Sequence, residues 1–509
     1  MSTWTRTIAL TVTALWLTGC SSVSQRQLAQ DAATAMGGAD KLMAIQTLSM
    51  TGGKGTRTKV GQPKTATGND QVGQLANDTE VLDLANGRAY SDYEITVGTF
   101  VQHRHEVLTK TEGAGGKPVG IESIDGVTFA TTPAGLFSWS TQNSPEWLLK
   151  RNPVSIVLAA TDSASAADAA QEEAFDGKMM KHSHAKTHDG EDVGLYFDPE
   201  TKLLGGFEVL DTETMLGDVT SQYILSDYKD VNGVKLPHHV KIRKGGEDYS
   251  EIQYTSIVIN DPKAADAFAI PQEKGIPAQA AQAAAVPDSF PMKLEKVANG
   301  VYHAQGFRHH SMVVEFPTYV VVVEAPYLET QTHMLAKAIA AQIPNKPIKY
   351  VAVTHFHYDH IGGIRAAAAL GATILVEKGA EPAVKKVLDA KHTHPRDDLE
   401  TARTAKKAVG TIETYDGQKV IKDGNQSLEL HAFMSSHVEP MVMAYVPSAR
   451  ALFQSDLWFP KTGAPASPET VELAEGIKKA NLKVDTMVGG HGLFGPMAEM
   501  TKAIGAMKK

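Results

Sequence analysis

The densest chemistry in this chain is the run Thr354-His355-Phe356-His357-Tyr358-Asp359-His360, with three imidazoles and a carboxylate within six residues. In extended backbone His355 and His357 project to one side, so both can reach the same metal ion. Asp359 and His360 then open the next helix and can face a second ion. Cys20 is the single cysteine in 509 residues, which excludes an intrachain disulfide, a CxxC redox pair and a four-cysteine zinc knot. Any metal must therefore be held by His, Asp or Glu. Neutral imidazoles with carboxylates suit Zn²⁺ and also admit Fe or Mn. Two such ions about 3.5–4 Å apart share a water whose pKa falls toward about 7, and the resulting hydroxide is a nucleophile at neutral pH. A GxSxG elbow and a Walker loop are both absent, which removes two competing hydrolytic mechanisms.

The elements around the run are those of a layered α/β core. Ile348 to Val353 reads as a buried strand leading into it, and Gly362 to Leu370 as an Ala-rich helix leaving it. Strands are also expected at Leu294 to Val301, Ser311 to Phe316, Tyr319 to Val323 and Ala372 to Val376, with a helix at Thr332 to Gln342. The apolar run Val320 to Val323 suits a strand covered on both faces. In such sheets the loops after the strands gather at one edge, where sites form.

The HxHxDH string resembles the signature of the metallo-β-lactamase superfamily, and the resemblance extends over residues 293 to 509. It implies an αββα sandwich and further metal positions. His437, in Ser435-Ser436-His437, matches the third ligand of the first ion. Asp456, ending Leu452-Phe453-Gln454-Ser455-Asp456, matches the acid that bridges both ions, and His491, in Gly489-Gly490-His491-Gly492, matches the last ligand of the second. The implied arrangement is His355, His357 and His437 on one ion, Asp359, His360 and His491 on the other, and Asp456 between. Asp359 and Asp456 are the acids expected to serve catalysis. Two departures matter. Glu324 stands where the family often carries Asp, and Asp456 stands where many zinc β-lactamases carry Cys, which shifts weight toward esters, thioesters, lactones or phosphoesters. His309 and His310 are placed to border the pocket, His392 and His394 to lie on a loop that touches substrate, and Trp458 and Phe459 to wall it.

The front half has a different texture. A helix is expected from Gln25 to Leu48, interrupted at Gly37-Gly38. Short alternating runs follow, punctuated by Asn86-Gly87, Asp125-Gly126, Asp189-Gly190 and Asn232-Gly233, which supply the positive φ angles of tight hairpins. The segments Ala35-Met36-Gly37-Gly38-Ala39-Asp40-Lys41-Leu42 and Val231-Asn232-Gly233-Val234-Lys235-Leu236-Pro237 resemble the bacterial lipoprotein-carrier fold, an incomplete β-barrel covered by helices. That resemblance implies a lipid-binding module, with a spacer or a module docking an envelope protein as the alternative. His103, His105, His182, His184, His188, His238 and His239 read as solvated strand faces.

The N-terminus is an address. Arg6, the apolar run Ile8 to Leu17 and the tetrad Leu17-Thr18-Gly19-Cys20 have the layout of a secretory signal. The tetrad resembles the lipobox of bacterial lipoproteins, which implies cleavage before Cys20 and lipidation of its sulfur; Ser21 implies an outer-membrane anchor facing the periplasm. The expected organisation is α+β multidomain: a signal peptide at 1–20, a β-rich antiparallel domain at 21–269, a Pro/Ala/Gln-rich linker at 270–292 and the metallo-β-lactamase-like domain at 293–509. A net charge of -9 disfavours a nucleic-acid partner. The function expected is a lipid-anchored metal-dependent hydrolase of a small-molecule ester, thioester, lactone, phosphoester or β-lactam. Two alternatives remain: an iron-dependent thiol or persulfide oxygenase on the same fold, and a lipid- or partner-binding lipoprotein with a vestigial hydrolase domain.

Overall fold

A computed structural model of the chain describes residues 24–98, 100–112, 118–124, 127–131, 145–162, 170–187, 190–268, 292–306 and 309–507. The signal segment with Cys20, the turn at Asp125-Gly126, His188 and almost all of the linker lie outside these residues. Among the described residues no helix is long and apolar enough to cross a membrane.

In the front half, fourteen strands between Thr47 and Ile259 form one antiparallel sheet, open between its edge strands Val127–Thr131 and Gln171–Phe175. At its centre the strand Thr47–Pro63 pairs with Asp70–Asp83 on one side and Glu247–Gln253 on the other. Asn232 and Gly233, at φ 55° and 79°, turn the hairpin between Gly217–Val231 and Val234–Lys244. The helices Gln25–Ala35 and Pro153–Asp162 bury Leu28, Ala32, Ile156 and Val157 against Phe197, Leu204 and Phe207 of the sheet. The front half is thus the expected β-rich antiparallel domain, with helices over one face of its sheet. The two segments that carried the lipoprotein-carrier resemblance meet in space: Lys235 N donates to Met36 O at 2.8 Å. At Gly37 (φ +127°) a Cβ would lie 2.3 Å from Gly233 O, so only glycine permits the approach. One expectation fails locally. The helix does not reach Leu48; a short helix ends at Met43, and Leu48 sits in a strand between Leu82 and Ile259, because pairing on both sides outweighs its helical spacing.

The back half is a sandwich of a seven-stranded and a six-stranded sheet. In the first, Val320–Val323, Ile348–Ala352, Thr373–Glu377 and Ile412–Tyr415 run parallel. Alternation divides the valine run: Val321 and Val323 face the inner layer with Leu428, Ala444 and Phe453, while Val320 and Val322 face the helix Glu329–Gln342 through Leu335 and Ile339. On the opposite side the helix Pro468–Lys479 covers the second sheet with Leu473 and Ile477.

The halves are joined by polar contacts. Asp218 accepts the backbone N–H of Thr393 at 2.9 Å and its hydroxyl at 2.6 Å, and Glu439 N donates to Lys64 O at 2.9 Å. His392 is buried and its Nδ1 lies 3.3 Å from Thr212 Oγ1. The loop 391–394 therefore docks the front sheet rather than carrying His392 and His394 to substrate. Two histidines read as solvated are also buried: His182, stacked on Tyr196, and His238.

Candidate metal centre

The strands end at the site, and each delivers one or two groups. His355 and His357 follow Ile348–Ala352, Glu324 follows Val320–Val323, Asp456 follows Ala451–Gln454, and His491 follows Thr486–Gly489. His437 sits on a loop held by Glu472 of the helix Pro468–Lys479, whose Oε2 accepts Ser435 Oγ at 2.9 Å and Ser436 N at 2.8 Å. Glu324 and Asp456 adopt φ of 67° and 66°, left-handed conformations that cost a non-glycine residue on the order of 1 kcal/mol or more. At Gly490 a Cβ would lie 1.7 Å from Ser455 Oγ, so glycine is required where the loop to His491 crosses the second strand end.

The donor atoms form two groups of four, each with all its atoms within 4.8 Å of one another: His355, His357, His437 and Asp456, and His309, Asp359, His360 and His491. All seven metal positions expected from the sequence lie in these groups, together with His309, which sequence reasoning placed only at the border. His309 Nε2 is 3.1 Å from Asp359 Oδ2, and its ring centroid is 3.8 Å from that of His491. No spacing rule marks it, since it enters from a separate strand-leading loop.

Proton bookkeeping fixes how the imidazoles face. Thr354 Oγ1 donates to Glu324 Oε1 at 2.5 Å, so it can only accept from His355 Nδ1, 3.1 Å away. His360 Nδ1 donates to Glu324 Oε2 at 2.9 Å. Glu324 thus orients two rings at once and turns both Nε2 atoms inward, the task a carboxylate performs behind metal-binding histidines. His357 Nε2 donates to the carbonyl of Pro63, 3.1 Å away in the front half, which leaves Nδ1 as its acceptor nitrogen.

These nitrogens converge on Asp456. Its Oδ2 is 3.0 Å from His355 Nε2, 3.0 Å from His360 Nε2 and 3.1 Å from His437 Nε2, and its Oδ1 is 2.6 Å from His491 Nε2. Yet the Nε2 atoms of His355, His360 and His437 are buried and make no hydrogen bond. Buried imidazole nitrogens packed against a carboxylate oxygen without hydrogen-bond geometry are costly unless a cation lies among them. The donor set therefore fits a metal ion. Burial, then His360, pushes His355 down to about 3, and burial also holds His357 and His309 well below the ordinary imidazole range, so these rings are neutral and ready as ligands. Burial opposes charge on His360 as well, but Asp456, Glu324 and Asp359 outweigh it and raise His360 well above its ordinary value. Burial is likewise overcome at Asp359 and Asp456, which His360 first of all holds well below the usual carboxylate range.

The neighbours divide by role. The His310 ring is buried against His303 and pushed down to about 3 by burial, while its backbone N–H donates to Gly490 O, so the residue supports the loop of His491 and lies outside both groups. Trp458 belongs to the core, whereas the Phe459 ring lies 5.4 Å from that of His491 and borders the site.

Residues 304–491 match the metallo-beta-lactamase superfamily. Among solved structures the chain is similar to a metallo-beta-lactamase from Pontibacter korlensis (17% identity, 43% of this chain and 99% of that one, TM-score 0.33). It is also similar to the stereoselective inverting sec-alkylsulfatase Pisa1 from Pseudomonas sp. (16% identity, 42% of this chain and 41% of that one, TM-score 0.30). A third is a B3 metallo-beta-lactamase with an active-site glutamic acid (18% identity, 43% of this chain and 92% of that one, TM-score 0.29). No curated protein matches the sequence.

Proposed function

We propose that this chain, whose residues 304–491 match the metallo-β-lactamase superfamily, is a dinuclear zinc hydrolase of the cell envelope. The observation that carries the reading is the convergence of three buried Nε2 atoms, none hydrogen-bonded, on one oxygen of Asp456. His355, His357, His437 and Asp456 would hold one ion, and His309, Asp359, His360 and His491 the other. Bound zinc supplies Lewis acidity and lowers the pKa of a water to about 7.

The chain's own groups do the rest. Glu324 keeps the protons of His360 and, through Thr354, of His355 on their Nδ1 atoms, so neither ring turns or tautomerises away from the site. Asp359 and Asp456 stay ionised and accept positive charge, and they are the acids best placed to take a proton from an attacking water. Two complete donor groups support a two-ion hydrolase over a mononuclear iron oxygenase, which needs only one. The acid at position 456 in place of a thiolate supports esters, thioesters, lactones or phosphoesters ahead of β-lactams. The sequence supports lipidation at Cys20 and a periplasmic workplace on the outer membrane.

Metal analysis of the purified full chain, joined to a panel of those substrates and β-lactams, tests the reading. The expected result is two ions per chain and hydrolysis that a chelator stops and zinc restores. Less than one ion per chain, with no member of the panel cleaved, would refute it.

A further inference from the structure

The candidate metal centre is not built by the back half alone. In the pairing of the strands Thr47–Pro63 and Asp70–Asp83, Lys59 lies opposite Gln71 and Pro63 opposite Asp70, so Val60, Gly61 and Gln62 bulge from one strand with no counterpart on the other. Such a bulge bends its strand and re-aims the groups on it. This one is held in shape from its own sheet: Asp70 Oδ1 accepts Gln62 N at 2.9 Å, and Gln71 Nε2 donates to Gln62 O at 2.9 Å. It is also wedged against the back half. At Gly61 (φ +74°) a Cβ would lie 2.7 Å from Met215 Cγ and 2.9 Å from Tyr358 Cβ, so only glycine fits the seam. Met215, in the turn after the strand Leu204–Glu213, is itself buried in the apolar core of the back half with Phe356 and Tyr358, and Ala66 packs on the same core.

The bulge and the residues after it meet three segments that carry metal-site donors. Gln62 Nε2 lies 3.4 Å from Asp359 Oδ1. Pro63 O accepts His357 Nε2 at 3.1 Å; His357 is buried, so without that carbonyl its outward N–H would lose its hydrogen bond where water does not replace it. A carbonyl can only accept, so Pro63 also keeps the proton on Nε2 and leaves the Nδ1 lone pair for the donor group. Lys64 O accepts Glu439 N at 2.9 Å, and Thr65 bridges to Glu439, two residues past His437. His357 and His437 belong to one donor group with His355 and Asp456. Half of that group is therefore braced by a strand end 294 positions from His357.

We propose that residues 60–65 are a positioning element of the metal centre, supplied by the front half. They fix the tautomer and orientation of His357 and steady the loop of His437, so metal occupancy of that donor group and docking of the two halves are linked. The linkage is reciprocal: what the docked bulge adds to metal affinity, bound metal returns to the docking. Whatever shifts the bulge, from either half, then changes metal affinity. The inference rests on the metal-binding part of the hydrolase reading and not on turnover.

Two measurements on the full chain test it. Hydrogen exchange read by mass spectrometry should show zinc slowing exchange at least about tenfold in residues 59–72 and 213–218 as well as in 355–361, with the hairpin at Asn232-Gly233 unchanged. The second is zinc titration against a chromophoric chelator. Asp70→Ala removes the acceptor that holds Gln62 and should weaken one of the two zinc-binding steps about tenfold to a hundredfold. Asp70→Asn, whose Oδ1 can still accept Gln62 N–H, should stay within about threefold of the wild type, with circular dichroism unchanged in both variants. Should Asp70→Ala fail to fold, exchange in the wild type decides alone. Zinc binding without added protection in the two front-half segments overturns the linkage, and so does an Asp70→Ala variant that folds and binds both ions as tightly as the wild type. Less than one zinc per chain removes the metal-centre reading and this inference with it. Zinc binding with the expected protection, but no hydrolysis of any substrate, keeps the positioning role and removes the hydrolase reading alone.

Discussion

Two buried clusters of charge, one in each half, are built on opposite terms. In the front sheet, Arg151 and Asp211 are both buried, and the guanidinium meets the carboxylate as a fork, at 2.7 and 3.0 Å, with Glu191 at 2.5 Å and the Tyr223 hydroxyl at 3.3 Å on the same nitrogens. In the back half, Asp456 receives four imidazoles at 2.6–3.1 Å, and three of those nitrogens have no hydrogen bond. The first cluster carries its counter-ion in the sequence; the second leaves it to be supplied. Buried ionic groups of the first kind hold a structure together, and those of the second kind hold it ready for something else.

Exchanging one residue in each cluster puts this contrast at greatest risk. Asp456→Ala should lower kcat/KM by roughly 10³-fold or more, because a metal centre is worth several kcal/mol at about 1.4 kcal/mol per tenfold. Bound metal should fall with it, while the melting temperature of the zinc-free chain moves little. Arg151→Met should do the reverse, costing about 3–5 kcal/mol of stability by leaving Asp211 buried without its partner, with metal content unchanged. Metal analysis and thermal melting of both variants decide the matter. A destabilised Asp456→Ala beside a stable Arg151→Met would mean that the roles of the two clusters are the other way round.

A smaller effect is expected one layer behind the metal-facing atoms. Glu324→Gln keeps the size of the side chain, but its amide nitrogen cannot accept a proton from His360 or Thr354. Metal affinity or activity should drop about 10–100-fold, the usual consequence of removing the carboxylate behind a metal-binding histidine. Zinc titration against a chromophoric chelator measures it; affinity within twofold of the wild type would show that Glu324 only fills space.

Much of the candidate metal centre was legible because its donor residues obey local rules. His355, His357, Asp359 and His360 fall within six residues where one buried strand passes into a short helix, and His437, Asp456 and His491 each follow in order near a strand end. The bilayered architecture was legible for the same reason, from runs such as Val320 to Val323 that can only be buried on both faces. The groups that escaped are those placed by long-range contact. Pro63 meets His357 across 294 positions and carries no side-chain donor, so no pattern announces it. His309 reaches Asp359 across 50 positions from a loop without metal-ligand spacing. The loop with His392 and His394 seemed free to touch substrate because Asp218, its anchor, belongs to the other half of the chain. Glu324 was visible as a departure from the family's pattern, but its two-handed contact with Thr354 and His360 exists only once three strand ends are brought together.

The finest distinction between the halves concerns protons. In the front sheet Glu80 and Asp78 lie buried near Arg57, and burial pushes Glu80 up to about 8 and Asp78 up to about 6. Both values exceed those of the unfolded chain, so the folded state binds more protons between the two limits. The associated stability is therefore complete below about pH 4 and declines as pH rises toward 6 for Asp78 and 8 for Glu80. Glu80→Gln mimics the protonated acid. It should match the wild type at about pH 4 and below and become increasingly the more stable of the two as pH rises to 8, the gap opening by at most about 1.4 kcal/mol per pH unit. Urea unfolding at pH 5, 6.5 and 8 would show this. A gap that stays constant, or closes with rising pH, would mean that Glu80 is ionised in the folded sheet and that Arg57 neutralises it as completely as Arg151 neutralises Asp211.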